Sequence, residues 1–533
     1  MLSRRQFLTR SGALGAAAVF APQSLPEAVG ARRLLRGGRF SSGVMSGDPT
    51  PRGITLWTHV ANVEGRGGVL LEVARDRDFR NVVMRKTIRT RGSIDHTVKA
   101  RVERLRAHER YYYRFETATR HSPVGRFQTA LPADSNQPVR LGYFSCQNYP
   151  HGWFNAHELM AREDLDFVVN LGDYIYAETY HSRKDGTGVR DDRIGRSRAN
   201  VIREAVSLSD YREKYKLYRS DADLRKLHAR FPMVSTWDDH EAQNNYAGGA
   251  ADGGLPPDER FSQKRRRAGY QAFFEHMPHF AQPRGRDRLY RTLRFGRNVD
   301  LIMLDERQYR DNQPCNDAVA EPCPEYNDPR TLLGAGQKAF FKGALEQSSA
   351  AWKLIGNEVA MMPVKTGANT YFTYDFWHGY PGERREILEH IKAKGVKDVV
   401  FLTGDIHTFA AGDVQITEGG ESVATEIIGG SVTSLALGEG DIPIGGGTVL
   451  KGNDANPNTS PDIINALVGL NPWVDYADFD HHGYVVVEAT RTELTAKLRR
   501  IDTIKKRSAK RLPDVSYTLA RGDTSLKGKR RGG

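Results

Sequence analysis

Apolar positions along the chain follow two different rhythms. Between Arg39 and Leu131 they come in short runs rich in β-branched and aromatic residues, such as Ile54-Thr-Leu-Trp-Thr-His-Val60, Gly68-Val-Leu-Leu-Glu-Val-Ala74 and Tyr111-Tyr-Tyr-Arg-Phe115. Turn residues break these runs about every ten positions, a spacing that predicts a small β-sandwich. No acid, base or metal-ligating cluster converges there, so the unit is assigned a scaffolding role. From Val139 onward short apolar runs alternate with helical patterns, the mark of strand–helix units. Residues 139–144, 166–170, 231–236, 299–304, 352–356 and 399–403 are read as buried strands. A helix is expected around residues 154–163, and 182–228 is helix-rich, with Tyr211, Tyr215 and Tyr218 at the spacing of a packing face.

The ends of those strands carry the chemistry. The first runs into Ser145-Cys146-Gln147, the second into Gly172-Asp173 with Tyr176 close behind, and the third into Trp237-Asp-Asp-His-Glu241 with Asn244 and Asn245 just beyond. The fourth ends in Asp305, the fifth in Asn357 and the sixth in Gly404-Asp405-Ile406-His407. Alone, Gly-Asp after an apolar run is a turn signal. Repeated at strand after strand, it is the arrangement by which an open sheet gathers ligands along its carboxyl edge. On an extended segment Asp405 and His407, two apart, point the same way. Carboxylates, an imidazole, an amide oxygen and a thiolate brought together require cations to offset them, so a polynuclear site is expected. Asp305 reads equally as a helix cap and is left out of the metal set.

Length and charge refine this picture. A chain of 533 residues exceeds one ordinary core, and 39% apolar content with 22 Tyr, 22 Phe and 6 Trp is enough for a globular interior. No internal stretch reaches the roughly 18 to 20 apolar residues of a membrane span. The N-terminus, with Arg4-Arg5 before a weakly apolar stretch and small residues at Val29-Gly30-Ala31, reads as a twin-arginine export signal. Of the net charge of +13, residues 1–31 carry +2 and residues 497–533 carry +10, which leaves the body near neutral. A nucleic-acid-binding domain would place its basic excess on the folded body, so no specific nucleic-acid partner is expected. The basic stretch is expected to be a disordered tail. The domains are therefore drawn as 1–31 signal, 32–135 β-sandwich, 136–500 catalytic domain and 501–533 tail. Three cysteines are too few for a disulfide framework. Cys315 and Cys323 lie close enough in sequence for a bridge in an oxidising compartment; free thiols are the alternative.

The runs Ser145-Cys-Gln, Leu171-Gly-Asp-Tyr-Ile-Tyr176, Trp237-Asp-Asp-His-Glu241 with Asn244-Asn-Tyr-Ala247, and Thr403-Gly-Asp-Ile-His407 resemble those of the PhoD family of alkaline phosphatases, a branch of the calcineurin-like metallophosphoesterases. The wider superfamily has Asp-x-His in the first motif and Gly-His-x-His in the last. Here Cys146 stands in the first, and Asp405 replaces the leading His of the last. The resemblance implies an α/β sandwich of two central mixed sheets flanked by helices and preceded by a small N-terminal β-sandwich. It also implies Fe(III) held by Cys146, Asp173, Tyr176 and Asp405 or His407, beside Ca(II) ions, two in number, held by Asp173, Asp239, Asn357, Asp405 and His407. Thiolate and phenolate favour trivalent iron, and carboxylate and amide oxygens suit calcium.

On this reading clustered cations stabilise charge on the phosphoryl oxygens and activate a water or hydroxide for in-line attack. Asp239 is expected to ligate, His240 to orient the phosphate or assist the leaving group, and Asn244 and Asn245 to contact substrate oxygens or cap a helix. At Thr373-Tyr-Asp-Phe-Trp-His-Gly-Tyr-Pro381 the family usually has Asp where His378 stands. Gly429 to Ser434 is read as a loop with modest phosphate-contact potential, and His482 as a strand-start histidine. The expectation is an exported, monomeric, periplasmic or secreted metal-dependent phosphoesterase acting on phosphodiesters and phosphomonoesters. Alternatives are a phospholipase D-like diesterase on lipid or teichoic acid, and a non-catalytic envelope-binding protein with a structural metal.

Overall fold

Strand alternation sets the layers. In the Phe167–Leu171 strand, Phe167, Val169 and Leu171 enter one core while Val168 enters another. In Val399–Thr403, Val400 and Leu402 join the first of these cores, and Val399 and Phe401 face a third. Each strand is thus apolar on both faces, as a central strand covered on two sides must be. The computed structural model describes residues 34–63, 67–178, 189–190, 204–249, 263–279, 287–440, 442–444, 448–450, 452 and 458–532. The expected export signal lies outside these residues.

Among the described residues the strands form a ten-stranded and a seven-stranded mixed sheet, packed face to face around the shared core, with a four-stranded sheet and a small hairpin besides. In the larger sheet Val139–Phe144, Phe167–Leu171, Pro232–Thr236 and Val44–Thr50 run parallel as neighbours. In the smaller one Val299–Met303, Trp352–Asn357, Val399–Thr403 and Ser422–Ile428 do the same. Helices cover the outer faces. Tyr211, Tyr215 and Tyr218 of Leu208–Tyr218 are buried against the larger sheet, and Ile387, Leu388 and Ile391 of Pro381–Ala393 against the smaller. This is the expected two-sheet α/β sandwich.

Two boundaries differ from expectation. The N-terminal sandwich exists, but only its four-stranded layer is its own. The other layer, Val44–Thr50, Gly53–His59 and Thr97–Val102, continues the ten-stranded sheet through the pairing of Ser46 with Pro232. Met45 and Trp57 point into the core beneath the Leu208–Tyr218 helix while Val44 and Leu56 point into the sandwich core, so the same strands serve both.

The C-terminal stretch is folded, not a disordered tail. Val515–Ala520 pairs antiparallel with Glu493–Ile501, and Val515, Tyr517 and Leu519 are buried in the inter-sheet core. Several of the basic residues have acidic partners, with Arg521 on Asp398, Arg499 on Asp514 and Lys529 on Asp523. The period-two apolar pattern at 515, 517 and 519 outweighed the charge around it. Leu519→Ala should therefore destabilise the protein by about 3 kcal/mol, as core Leu truncations do. The measurement is the denaturant midpoint, and an unchanged midpoint would restore the disordered tail.

Candidate metal centre

Parallel strands end at the same edge, which is why residues far apart in sequence meet. Cys146, Asp173, Asp238, Asp239 and Asp405 all follow a strand terminus within three residues. Cys146, Asp173, Asp405 and His407 have φ of 58°, 52°, 61° and 59°. A non-glycine residue in this left-handed region costs roughly 1–2 kcal/mol, so the surroundings must hold each one. Gly172, at φ 100°, lets two ligand loops touch, since a Cβ there would lie 2.3 Å from Asp238 Cβ.

Buried glutamates hold the turns. Glu241 accepts the backbone N–H of Asp173, Tyr174, Ile175 and Asp238 at 3.0, 2.6, 3.1 and 2.7 Å, tying two ligand turns together. Glu306 accepts the N–H of Glu358 and Val359 at 2.9 and 2.8 Å, and Glu358 accepts the N–H of Glu306 in return. Thr236 in the other sheet donates to Glu358 at 2.6 Å, so this lock crosses between the sheets.

Asp173 is the hub. Its carboxylate shares one ligand group with Cys146 and His407, a second with Asp239 and His240, and a third with Asp238, Asp239 and Asp405, the atoms of each group lying within 4.8 Å of one another. Tyr176 Oη donates to Asp173 Oδ2 at 2.8 Å and lies 3.3 Å from His407 Nε2, while Ser434 Oγ donates to Tyr176 Oη at 2.5 Å. His407 Nδ1–H points at the Leu435 carbonyl, 3.0 Å away, which leaves Nε2 as the lone pair facing the cluster. His240 stacks on Tyr176 with ring centroids 4.0 Å apart and meets Glu178 Oε2 through Nδ1 at 2.7 Å. Asp239 accepts the N–H of His240 at 2.8 Å and of Asn245 at 2.6 Å. Arg307, fully buried, binds Asp238, Asp375 at 2.8 Å and Asp405 at 3.7 Å.

The structure therefore brings together Cys146, Asp173, Tyr176, Asp239, His240, Asp405 and His407. Asn357 is held differently. Its amide donates to Val359 O and Thr403 Oγ1, and its carbonyl accepts from Trp377 Nε1 at 3.1 Å. Asn244 and Asn245 reach the site network through backbone N–H groups, the former donating to Glu178 at 2.7 Å. Asp305 accepts from Trp237 and Gln308 and stays outside the ligand groups. His378 bonds the Thr373 carbonyl, and His482 bonds Ser431 and Glu439, so both brace neighbouring loops. Cys315 and Cys323 form a disulfide.

Sequence reading passed over Asp238, Glu178, Glu241, Arg307 and Ser434. Asp238 was visible beside Asp239, and Glu178 lies two residues beyond Tyr176. Glu241 and Ser434 lie inside stretches already singled out, and only Arg307 carries no local signal.

The donor set fits cations. Burial pushes Asp173 and Asp405 well above the carboxylate range, and pushes the Cys146 thiol and Tyr176 phenol up as well, with neighbouring carboxylates adding to the effect. Burial also lowers His407 to about 4, with His240 adding to it, which keeps the ring in its neutral ligating form. For His240 burial works downward, but Asp239, Asp173 and Glu178 outweigh it and raise the ring well above its ordinary value. Asp173 Oδ1 and Asp238 Oδ2 are buried without a hydrogen-bond donor. Buried anionic oxygens in that state are what a bound cation satisfies.

Two face-to-face sheets with ligand-bearing strand ends between them define a metallophosphoesterase-type fold. The fold is shared with purple acid phosphatase PPD1 from yellow lupin seeds, at a TM-score of 0.53 and 12% identity over 90% of this chain and 74% of that one. Family models for PhoD-like phosphatase and for its N-terminal domain match residues 141–498 and 27–131. Alkaline phosphatase D of Bacillus subtilis (strain 168) is 34% identical over 98% of this chain and 88% of that protein. A solved structure of PhoD superposes with a TM-score of 0.81 at 32% identity, covering 92% of each chain. The chain belongs to the PhoD-like phosphatase family, and with it to the phosphoric ester hydrolases.

The raised carboxyls give a signed prediction for the metal-free protein. Asp173 and Asp405 bind protons more tightly folded than unfolded, so their contribution is fully present below the unfolded carboxylate pKa of about 4 and is lost as pH rises through the folded values. Chelator-treated protein should lose thermal stability as pH rises from about 5 to about 8. Adding divalent cations should flatten that slope, and so should Asp173→Asn. A slope of opposite sign, or one indifferent to Asp173→Asn, would contradict this account.

Proposed function

We propose that the protein is an exported, metal-dependent phosphoesterase that hydrolyses phosphodiesters and phosphomonoesters. The observation that carries the reading is the position of Asp173 in all three candidate ligand groups. Cys146, Tyr176, Asp173 and His407 form the side suited to Fe(III), and Asp173, Asp238, Asp239 and Asp405 the oxygen-rich side suited to Ca(II). When bound, such cations neutralise charge on a phosphoryl group and acidify a water for in-line attack.

The chain's own residues supply the rest. Glu178 fixes the His240 ring through Nδ1, and the surrounding carboxylates raise its pKa, which suits it to orient a phosphate oxygen or to protonate the leaving oxygen. Arg307 holds Asp238 and Asp405 in place and offsets part of their charge. Asp405 and His407 are only partly buried, unlike Cys146, Asp173 and Asp239, and mark the side open to substrate.

A second reading, a diesterase acting on lipid-linked phosphates, is suggested by an apolar pocket beside the site. Ile406, between Asp405 and His407, lines it together with Leu437, Leu467, Val468 and Phe479.

Export is inferred from Arg4-Arg5 and the apolar stretch behind it, and the Cys315–Cys323 bridge suits an oxidising compartment. No helix among the described residues is long and apolar enough to cross a membrane.

The purified protein should hydrolyse bis-nitrophenyl phosphate. Chelator, Asp173→Ala or Cys146→Ser should each reduce that rate at least about a thousandfold, the loss of several kcal/mol of charge stabilisation. Turnover that survives all three would exclude the metal-dependent reading. In the same assay a short-chain phosphatidyl substrate that outpaces its glycerophosphodiester head group would select the lipid reading, and equal rates would dismiss it. Replacing Arg4 and Arg5 by Lys should trap the activity inside the cell; undiminished export would remove the signal assignment.

A further inference from the structure

The disulfide loop reaches the metal centre. Cys315, Asn316 and Asp317 are three successive non-glycine residues in the left-handed region, at φ 59°, 54° and 52°. At roughly 1–2 kcal/mol each, such a run persists only where contacts fix it. The Cys315–Cys323 bridge is one fixture. The Cys315 N–H donates to Glu325 Oε1 at 2.9 Å, and the Cys315 side chain packs against Tyr371 and Tyr374.

The effect of this backbone is to turn the Asp317 carboxylate inward. Its Oδ1 accepts Thr373 Oγ1 at 2.6 Å and the Tyr374 N–H at 2.7 Å, and its Oδ2 accepts Asn245 Nδ2 at 2.7 Å. Asn245, itself at φ 48°, donates its backbone N–H to Asp239 Oδ2 at 2.6 Å. Gln313, two residues before the bridge begins, donates to the Asn245 carbonyl at 2.7 Å and to Asp375 at 2.6 Å. Asp375 in turn holds Arg307. The covalently closed loop therefore grips the Asn245 side chain through Asp317 while Gln313, just before the bridge, holds its carbonyl, and Asn245 in turn binds Oδ2 of the candidate ligand Asp239.

We propose that Asp317, held by the Cys315–Cys323 bridge, is a positioning residue that orients Asp239 through Asn245, so that the metal centre becomes fully competent only when this cysteine pair is oxidised. The inference rests on reading the Asp173 cluster as a metal centre. It assigns to the loop a task beyond closing the surface: while the thiols are reduced, the Asn245 side chain loses its anchor on Asp317 and Asp239 binds a cation less well.

The test uses the full-length protein. Dithiothreitol breaks the bridge by exchange, leaving two protein thiols and one cyclic disulfide in the reagent. Reduction and Asp317→Asn should each weaken calcium binding to chelator-treated protein, measured by calorimetry, by about tenfold or more, the usual effect of losing a partner behind a ligand. In the reloaded enzyme kcat/KM should fall by a similar factor. The double variant Cys315→Ala/Cys323→Ala should show the same loss and no further response to dithiothreitol, which separates the loop from any effect of the reagent on Cys146. Adding Asp317→Asn to that variant should give little extra loss, because both changes break one chain of contacts.

Unchanged calcium affinity in Asp317→Asn, or losses that simply add, would overturn the inference. Should the cysteine variant fail to fold, Asp317→Asn alone decides. A wild-type protein that binds no calcium and turns over no substrate would overturn the metal reading itself, whereas normal turnover with an indifferent Asp317 would overturn only the present inference.

Discussion

Buried like charge is the constraint that the rest of the structure serves. Asp173, Asp238, Asp239 and Asp405 place one oxygen each within 4.8 Å of the others. At an effective dielectric of about 20, two unit charges at that distance repel by roughly 3–4 kcal/mol, so four ionised carboxylates would cost on the order of 20 kcal/mol. A whole domain is stable by only about 5–15 kcal/mol. Arg307 offsets part of this, and protons or cations must supply the remainder. A fold that pays this charge penalty at one edge has an ion-binding task there.

The fold tolerates the cluster because its turns are tied down independently of it. Glu241 binds four backbone N–H groups across two turns, and the Glu306–Glu358 exchange locks two adjacent strands of one sheet to Thr236 of the other. Ser434, which donates to Tyr176, sits in a loop braced by Ser431, His482 and Glu439. The ligand turns are thus held by backbone contacts that lie outside the ligand groups, the preorganisation that electrostatic catalysis needs.

The scaffold extends the same logic outward. The ten-stranded sheet is lengthened at one end by strands of the N-terminal sandwich and at the other by the C-terminal strands, so its ligand-bearing members are central and covered on both faces. Near the opening the Cys315–Cys323 loop supplies a covalent brace where no sheet is available.

Cys146, Asp173, Asp405 and His407 could be picked out from sequence because each follows an apolar run, and a run's end is a local property. The strands themselves were legible for the same reason, since alternation and turn residues act within a few positions. Glu306, Arg307 and the wider grip of Glu241 were not, because those roles consist of partners dozens of residues away. The C-terminal strand was hidden behind its lysines and arginines, whose partners Asp398 and Asp514 only folding supplies. Asn357 had the right chemistry and the right strand end, and Trp377, from a distant loop, donates to one side of its carbonyl. The chain alone therefore determined which side chains are available and where each strand stops. Which strand ends face one another followed from parallel register and the packing of two sheets, and these depend on contacts that no local stretch encodes.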